Sequence, residues 1–367
     1  MVTDRGISSG EERAMPYQEL FEKAESLFAN GMWQPATELY EKIISMSDDD
    51  RIVTDEVVMS YFRIFYMTSE TQSGNSEEML RFIPFRHRLR DEYVLEGLYL
   101  LARSYAVLDR WDEARQYIAE MLTRAESLQR KLNGHRFRRR LPFRRSLANY
   151  YGHALLMMSE GYEFEGAYAE AREYLERCFV LPQIHDALPE DKLEAERFSL
   201  LAQGRLLGLE VKNGHLERLP QLVDLMNEYP LLRVEGLTAS LMAANKYKFS
   251  FDPDLKDLLY RFADSYPAFS LSGENQIRDR DRYSRMYYQC AVYWLNEGEH
   301  TQGALQLLRS IKLSLYLKNQ HQLLASLMLY EKHLPHIPET ISADIMKLCE
   351  ERAKEVKVRF PWKQMLL

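Results

Sequence analysis

The chain is poor in the residues that make tight turns and covalent cross-links. Its 367 residues include 16 glycines, 13 prolines and 3 cysteines. Scarce glycine and proline favour long helices and argue against a β-sandwich or barrel, which needs frequent turns. The cysteines Cys178, Cys290 and Cys349 are far apart and odd in number, so they indicate neither a disulfide framework nor a zinc knuckle. This usage fits a reducing compartment, and we expect a cytoplasmic protein.

Long apolar runs are also missing. No stretch approaches the roughly 18–20 apolar residues of a membrane span. The first residues, MVTDRGISSGEERAM, contain no apolar segment of the kind that a signal peptide needs. We therefore expect no membrane association, and we assign residues 1–15 to a disordered N-terminal segment and residues 359–367 to a C-terminal tail.

The sequence contains none of the common catalytic or nucleotide-binding motifs. It has no glycine-rich phosphate loop and no HExxH. His333 and His336 have metal-like spacing, but they share a proline-bearing segment without a cysteine or acid cluster and are more typical of a surface loop. We predict that the protein is not an enzyme and binds no metal or other cofactor.

A repeated spacing of small and aromatic residues dominates the rest of the chain. In residues 24–40, AESLFANGMWQPATELY, these positions are separated by 3, 4, 2, 3 and 4 residues. The same spacing recurs in residues 102–118, 159–175 and 291–307. A weaker copy contains Leu207, Gly214, Leu216 and Val223.

This spacing predicts pairs of antiparallel helices. Small residues at the first and fifth positions let two helices approach closely, and Gly31, Gly166 and Gly298 fall at the turn, where a positive φ is useful. The unit resembles the tetratricopeptide repeat. We therefore predict an all-α, tetratricopeptide-like α-solenoid, a right-handed superhelix of about eight antiparallel helix pairs over residues 16–358. The alternative is a generic helical bundle, which would not require a common phase.

Several of the predicted units are degenerate. Residues 54–89 and 235–266 each read as two helices, with Ser76 and Asp252 as candidate N-caps for the second helix. The segments LLASLMLYEKHL and SADIMKLCEERAKEVKV are expected to close the array as a terminal helix pair, with Pro335 and Pro338 between them.

A solenoid of this type offers a concave channel lined by the first helix of each pair, and such channels commonly bind peptides or proteins. The repeat phase directs several side chains toward the channel, namely Glu96, Ala106, Leu156, Glu160 and Arg285. It also provides candidate peptide-binding residues, in which asparagine could pair with a peptide backbone and tyrosine could supply contact area. For any single residue, a solvated or inter-repeat role is an equal alternative. These candidates are Arg63, Tyr66, Tyr99, Arg103, Asn149, His153, Asn245, Tyr288 and Asn296.

Part of the chain resembles a known group of proteins. The resemblance rests on helical units of about 40 residues and on the stretch FIPFRHRLRDEYVLEGLYLLARSYAVLDRWDEARQYIAEML. The chain is similar, over about residues 17–358, to the sensor domains of Gram-positive peptide-pheromone receptors, the RRNPP group, and of XRE-type regulators. The resemblance implies a regulator in quorum sensing that binds a short peptide in the channel, with Arg63, Arg103, Asn149 and Asn245 as contacts, and a protein partner elsewhere. Because the first repeat begins near Tyr17, we expect no N-terminal helix-turn-helix.

One short stretch, NGHRFRRRLPFRRSLANYYGH, concentrates arginines in a chain of net charge −7. We predict an exposed basic patch that binds an acidic protein surface or peptide carboxylate, because the planar guanidinium pairs two-pronged with carboxylates. Alternatives are a solvated or intramolecular charge face and, less favoured, a nucleic-acid contact. The patch residues are Arg136, Arg138, Arg139, Arg140, Arg144 and Arg145.

Three functions are therefore open at this point. The first is a cytosolic peptide sensor that acts through a protein partner. The second is a passive tetratricopeptide scaffold for a protein complex, and the third is a nucleic-acid-associated transcriptional regulator. A homodimer is compatible with each of them.

Overall fold

The computed structural model describes residues 11–51, 53–71, 76–133, 145–181, 189–265 and 276–355. Throughout these ranges the regular structure is helical, which confirms the all-α prediction. No helix in them is long and apolar enough to cross a membrane. The α-helices are α1 Glu11–Ala29, α2 Trp33–Asp50, α3 Asp55–Thr71, α4 Ser76–Phe82, α5 Asp91–Val107, α6 Trp111–Asn133, α7 Leu147–Phe164, α8 Tyr168–Cys178, α9 Pro189–Lys212, α10 Leu219–Glu228, α11 Arg233–Tyr247, α12 Pro253–Ser265, α13 Gln276–Asn296, α14 His300–Leu317, α15 Gln320–His333 and α16 Glu339–Glu355.

Four helix pairs, α1–α2, α5–α6, α7–α8 and α13–α14, are joined by the same short turn. The residue two positions before the second helix of each pair has a left-handed backbone, with φ of 74° at Gly31, 77° at Gly166 and 84° at Gly298. In α5–α6 the equivalent residue is Asp109, with φ of 58°. The amide after each of these residues bonds to the carbonyl five positions earlier, as from Ala167 N–H to the Tyr162 carbonyl at 2.8 Å. The positive φ predicted for the three glycines is thus confirmed.

The small residues of the repeat are buried where paired helices touch. At Gly303 an added Cβ would lie 2.6 Å from Leu295 Cγ, so the contact between α13 and α14 leaves no room for a side chain. Close approach of the two helices is the physical reason for the small residues at these positions. The alanines of the pattern that are fully buried are Ala24, Ala36, Ala102, Ala114, Ala171 and Ala291.

The odd-numbered helices from α1 to α13 contact one another in succession. The even-numbered helices α2, α6, α8 and α10 each contact the odd-numbered helices that precede and follow them. Toward the end of the chain, α15 and α16 both contact α14. In addition, α13 contacts α3 and α5, so the row of odd-numbered helices curves back on itself and surrounds a cavity.

The boundaries differ from the sequence prediction in a few places. Helix α1 begins at Glu11, inside the segment 1–15 that we had assigned to disorder, with two glutamates at the end where the helix dipole favours negative charge. Asp252 acts as a cap for α12, because its carboxylate accepts the Leu255 N–H at 2.8 Å. The side chain of Ser76 and the tail 359–367 lie outside the described residues.

Candidate ligand cavity

A cavity of about 460 Å³ lies between the odd-numbered helices α5, α7, α9, α11 and α13. Three further residues close its wall: Trp111 from α6, Tyr168 from α8 and Gln322 from α15. Its volume is within the range of small-molecule and short-segment sites, about 300–1,000 Å³.

Charged side chains from consecutive helices are joined across the cavity wall. Arg205 on α9 donates to Glu235 on α11 at 2.7 and 3.2 Å and also pairs with Glu160 on α7. Arg282 on α13 lies 2.8 Å from the same Glu235 carboxylate. The chain of ion pairs therefore runs from α7 through α9 and α11 to α13.

This network holds Arg205 and Glu235 in the charged state. Burial raises the pKa of Glu235, but the neighbouring Arg205 and Arg282 outweigh it and lower that pKa to about 2. Burial lowers the pKa of Arg205, and the carboxylates of Glu160 and Glu235 more than reverse this effect. The wall is thus charged but internally neutralised at neutral pH.

A second group of charges continues the wall toward α5. Arg285 on α13 donates to Asp281 at 3.0 Å and to Asp109 in the α5–α6 turn at 2.6 Å. Burial is the main cause of a raised pKa at Asp281, with Arg285 opposing it. The cations of the cavity wall are each paired with a carboxylate, and they are Arg103, Arg205, Lys212, Arg282 and Arg285.

Three buried polar atoms of the cavity-lining residues have no hydrogen-bond partner within the described part of the chain. They are the indole Nε1 of Trp111, the amide Nε2 of Gln322 and the Oδ1 oxygen of Asp281. Buried polar groups are usually paired, and an unpaired one costs about 1–3 kcal/mol. Each of these atoms is shielded from solvent in this structure, so a ligand in the cavity reaches it only after the side chain turns toward the cavity.

Three apolar lining residues are at the same time exposed to solvent. Phe164 is 47% exposed, and Tyr168 and Met242 are each 38% exposed. Residues that both line the cavity and reach solvent define its opening. The opening therefore offers apolar and aromatic contact area beside a polar interior.

Two of the predicted peptide-binding residues, Arg103 and Tyr288, line this cavity, as do Ala106, Glu160 and Arg285. Arg103 is nevertheless buried and donates to the Ser69 carbonyl at 2.8 Å and to Glu70 at 2.9 Å. Its guanidinium thus ties α5 to α3. Tyr288 is half-buried, and burial raises its pKa.

Arg63 and Tyr66 lie away from the cavity, between α1 and α3. Arg63 makes a two-pronged ion pair with Glu25 at 2.7 and 2.8 Å, and its guanidinium lies 4.5 Å from the centre of the Phe28 ring. Tyr66 is buried with its ring edge toward Phe28 and Trp33. Both residues stabilise the packing of the first helices.

The predicted asparagines and the remaining aromatic residues also serve helix packing. Asn149 donates to Glu194 at 3.0 Å, and Asn245 donates to the backbone and side chain of Gln289 at 3.1 and 3.0 Å. These bonds connect α7 to α9 and α11 to α13. Neighbouring first helices touch along the face that the repeat phase had assigned to the channel. Tyr99 and His153 are buried with ring centres 5.1 Å apart, and Asn296 is exposed at the end of α13.

Arg145 does not belong to an exposed basic patch, and this part of the prediction is wrong. Its side chain is 7% exposed, and its Nε lies 3.3 Å from the buried carboxylate of Glu96. Glu96 also accepts the Tyr150 hydroxyl at 2.7 Å, so a cation is needed to balance a carboxylate in the core. The other arginines of the predicted patch lie outside the described residues, namely Arg136, Arg138, Arg139, Arg140 and Arg144.

Sequence reasoning did not identify Trp111, Arg205, Lys212, Glu235 and Arg282 as wall residues. Arg205 and Glu235 lie in units without a clear repeat phase, so no pattern directed them to the channel. A signal was present in two of the four stronger copies, where a charged wall residue directly follows the small first residue of the pattern. This holds for Arg103 after Ala102 and for Glu160 after Ser159.

Other candidate chemistry is not supported. The rings of His300 and His336 stack 4.7 Å apart, but no cluster suited to a metal ion occurs among the residues that the structure describes. Cys178 and Cys290 are buried in the core. No protein-family model, curated protein or solved structure matches the chain.

Proposed function

We propose that the chain is a right-handed, tetratricopeptide-like solenoid that binds a short peptide in the cavity and acts through a protein partner. The arrangement is supported by four helix pairs with the same turn, by small residues at the pair contacts, and by the succession of odd-numbered helices around the cavity. The resemblance to RRNPP sensor domains supports the same function. A passive scaffold is the competing function.

The observation that carries the proposal is the set of unpartnered polar atoms in the cavity wall. A peptide backbone presents carbonyl acceptors and N–H donors at short intervals. Once these side chains turn toward the cavity, the peptide carbonyls can accept from the Trp111 indole and the Gln322 amide, and a peptide N–H can donate to Asp281. A purely apolar ligand would leave all three atoms unpaired, and that would cost affinity.

The charges of the wall define the peptide further. Because Arg205, Arg282 and Arg285 are already paired with carboxylates, a strongly charged ligand would have to break a buried ion pair. Removing one partner of such a pair costs about 3–5 kcal/mol. The exposed Phe164 and Tyr168 at the opening instead suit an aromatic or aliphatic side chain. We therefore expect an uncharged peptide segment with one apolar side chain.

The experiment is a thermal-shift and calorimetry screen with a defined pool of short acetylated and amidated peptides, each with one aromatic or aliphatic residue. A peptide at a hundred times its Kd should stabilise the folded protein by about 2.7 kcal/mol. Thr238→Trp fills the cavity and should abolish this stabilisation. Thr301→Trp makes the same change at an exposed position of α14 and should preserve it.

Peptides of the same length with two acidic or two basic residues test the charge argument, and we expect no saturable shift from them. If no peptide of any class stabilises the wild type, while native pulldown recovers a folded partner protein, the chain is a scaffold rather than a sensor.

A further inference from the structure

The curved row of helices is closed by a small contact between distant parts of the chain, which we call the seam. Arg285 donates to Asp109 at 2.6 Å, and the amide of Asn319 donates to the Val107 carbonyl at 2.9 Å. The same amide lies 3.3 Å from the Asp109 carboxylate. Val107 and Leu317 form a separate apolar contact. The seam residues are Val107, Asp109, Arg285, Leu317 and Asn319.

The seam differs from the other contacts that hold α13 in place. Helix α13 packs against α11 and α14 along large buried apolar surfaces, including Met286, Tyr287 and Trp294. At the seam, one buried apolar pair is surrounded by hydrogen bonds and an ion pair. A contact with little buried apolar area opens at lower cost than one with a continuous core. The seam is therefore a weaker link than the contacts of α13 with α11 and α14, although the Tyr316 hydroxyl adds one bond to the Thr71 carbonyl at 3.2 Å beside it.

Arg285 belongs to the cavity and to the seam at once. Its Nε holds Asp281 in the cavity wall at 3.0 Å, and its Nη2 holds Asp109 in the seam at 2.6 Å. A ligand that binds at Asp281 must therefore change the surroundings of the guanidinium that closes the seam. Because Asp109 also lies 3.3 Å from the Asn319 amide between α14 and α15, this shared group connects the cavity to those two helices through Asp109.

We propose that the seam is a clasp that opens and closes the ring around the cavity, with Arg285 as the residue that couples ligand binding to it. The proposal deepens the proposed function, on which it rests for the ligand. The clasp itself is tested on the protein without ligand, so the two can fail separately.

The backbone of Asp109 makes a conservative test available. Its φ of 58° is left-handed, a conformation that asparagine adopts more readily than most residues. Asp109→Asn therefore keeps the turn and removes the charge that holds Arg285. Combining it with Asn319→Asp also removes the amide donor to the Val107 carbonyl, and it keeps the side-chain oxygen that accepts the Gln322 N–H and caps α15. We expect this double variant to raise the population of the open ring about tenfold or more.

The measurement uses distances between spin labels. Labels on Leu80→Cys in α4 and Leu324→Cys in α15 belong to the two distant parts of the chain that the seam joins, and both positions are more than half exposed, at 57% and 58%. Cys178 and Cys290 are buried, so the background needs the further change Cys349→Ser. A reference pair, Met32→Cys with Leu80→Cys, lies entirely among the first four helices.

In the double variant we expect a second, longer distance for the pair across the seam and an unchanged distance for the reference pair. Glu113→Gln, which removes an exposed ion pair with Arg110, should leave both distances unchanged. The clasp is refuted if the pair across the seam keeps its wild-type distance. It is equally refuted if both pairs broaden together, since that would report general loosening.

The peptide pool then tests the coupling. A stabilising peptide should change the distance across the seam in the wild type, and its affinity should change at least about tenfold in the double variant. An unchanged distance and affinity would refute the coupling through Arg285. If the double variant opens but no peptide binds the wild type, the clasp stands and the peptide-binding function falls.

Discussion

Replacing Glu235 by glutamine removes a carboxylate that Arg205 and Arg282 share in the cavity wall. The side chain of Glu235 is 17% exposed, so water screens these ion pairs only weakly. Its pKa is about 2 in the folded protein, compared with an ordinary value of 4.5. Each unit of difference corresponds to about 1.4 kcal/mol, so the ionised carboxylate stabilises the fold by about 3 kcal/mol at pH 7.

The sign of the pH dependence follows from the direction of the shift. Because the pKa is lower in the folded state, the folded protein binds fewer protons at this site than the unfolded chain. The stabilisation is complete above the unfolded pKa of about 4.5 and is lost as the pH falls toward 2. At pH 3 about 1.5 kcal/mol of it should remain.

Urea unfolding of the wild type and Glu235→Gln, followed by circular dichroism at pH 7 and pH 3, measures both numbers. The difference in unfolding free energy should fall from about 3 to about 1.5 kcal/mol. Glu113→Gln is the matched control, since its pair with Arg110 is exposed and should contribute less than about 1 kcal/mol at either pH. A Glu235→Gln difference that is the same at both pH values would refute the assignment of a buried, ion-paired carboxylate.

Two further predictions concern the repeat itself. Ala114→Leu should overpack the contact between α5 and α6 and lower the unfolding free energy by about 1–3 kcal/mol, whereas Ala119→Leu on the exposed face of α6 should not; equal melting temperatures for the two variants would contradict the close helix contact. Gly166→Ala places a Cβ at a φ of 77° and should cost about 1–2 kcal/mol, while Gly166→Asn should cost less. An added Cβ at Gly166 meets no atom within 4 Å, so a steric clash cannot explain a loss of stability. Equal losses of unfolding free energy for the two variants in chemical denaturation would contradict the left-handed backbone as the cause.

The local features of this protein could be read from its sequence because their causes lie within a few residues. A left-handed residue at the end of a helix favours glycine, and the amide hydrogen bond of the turn spans only five positions. Asp252 caps α12 through an amide three residues away. Ala102 and Ala114 had to be small because their helices are joined by one short turn and must touch.

The candidate site could be predicted only in part, because helix phase gives the face of a residue but not its partner. The phase placed Arg103, Glu160, Arg285 and Tyr288 at the cavity. It placed Arg63 and Asn149 on the same face, but these residues form hydrogen bonds with partners 38 and 45 positions away in the sequence.

The sequence by itself determined the helices and the pairing of the four units that share the turn, since each depends on contacts between neighbours along the chain. Only the tertiary structure decided that the row of helices curves far enough for Arg285 to reach Asp109, 176 positions earlier. That curvature depends on how side chains pack between many successive helices, and no local pattern encodes it. The cavity, its neutralised charges and its seam all follow from it.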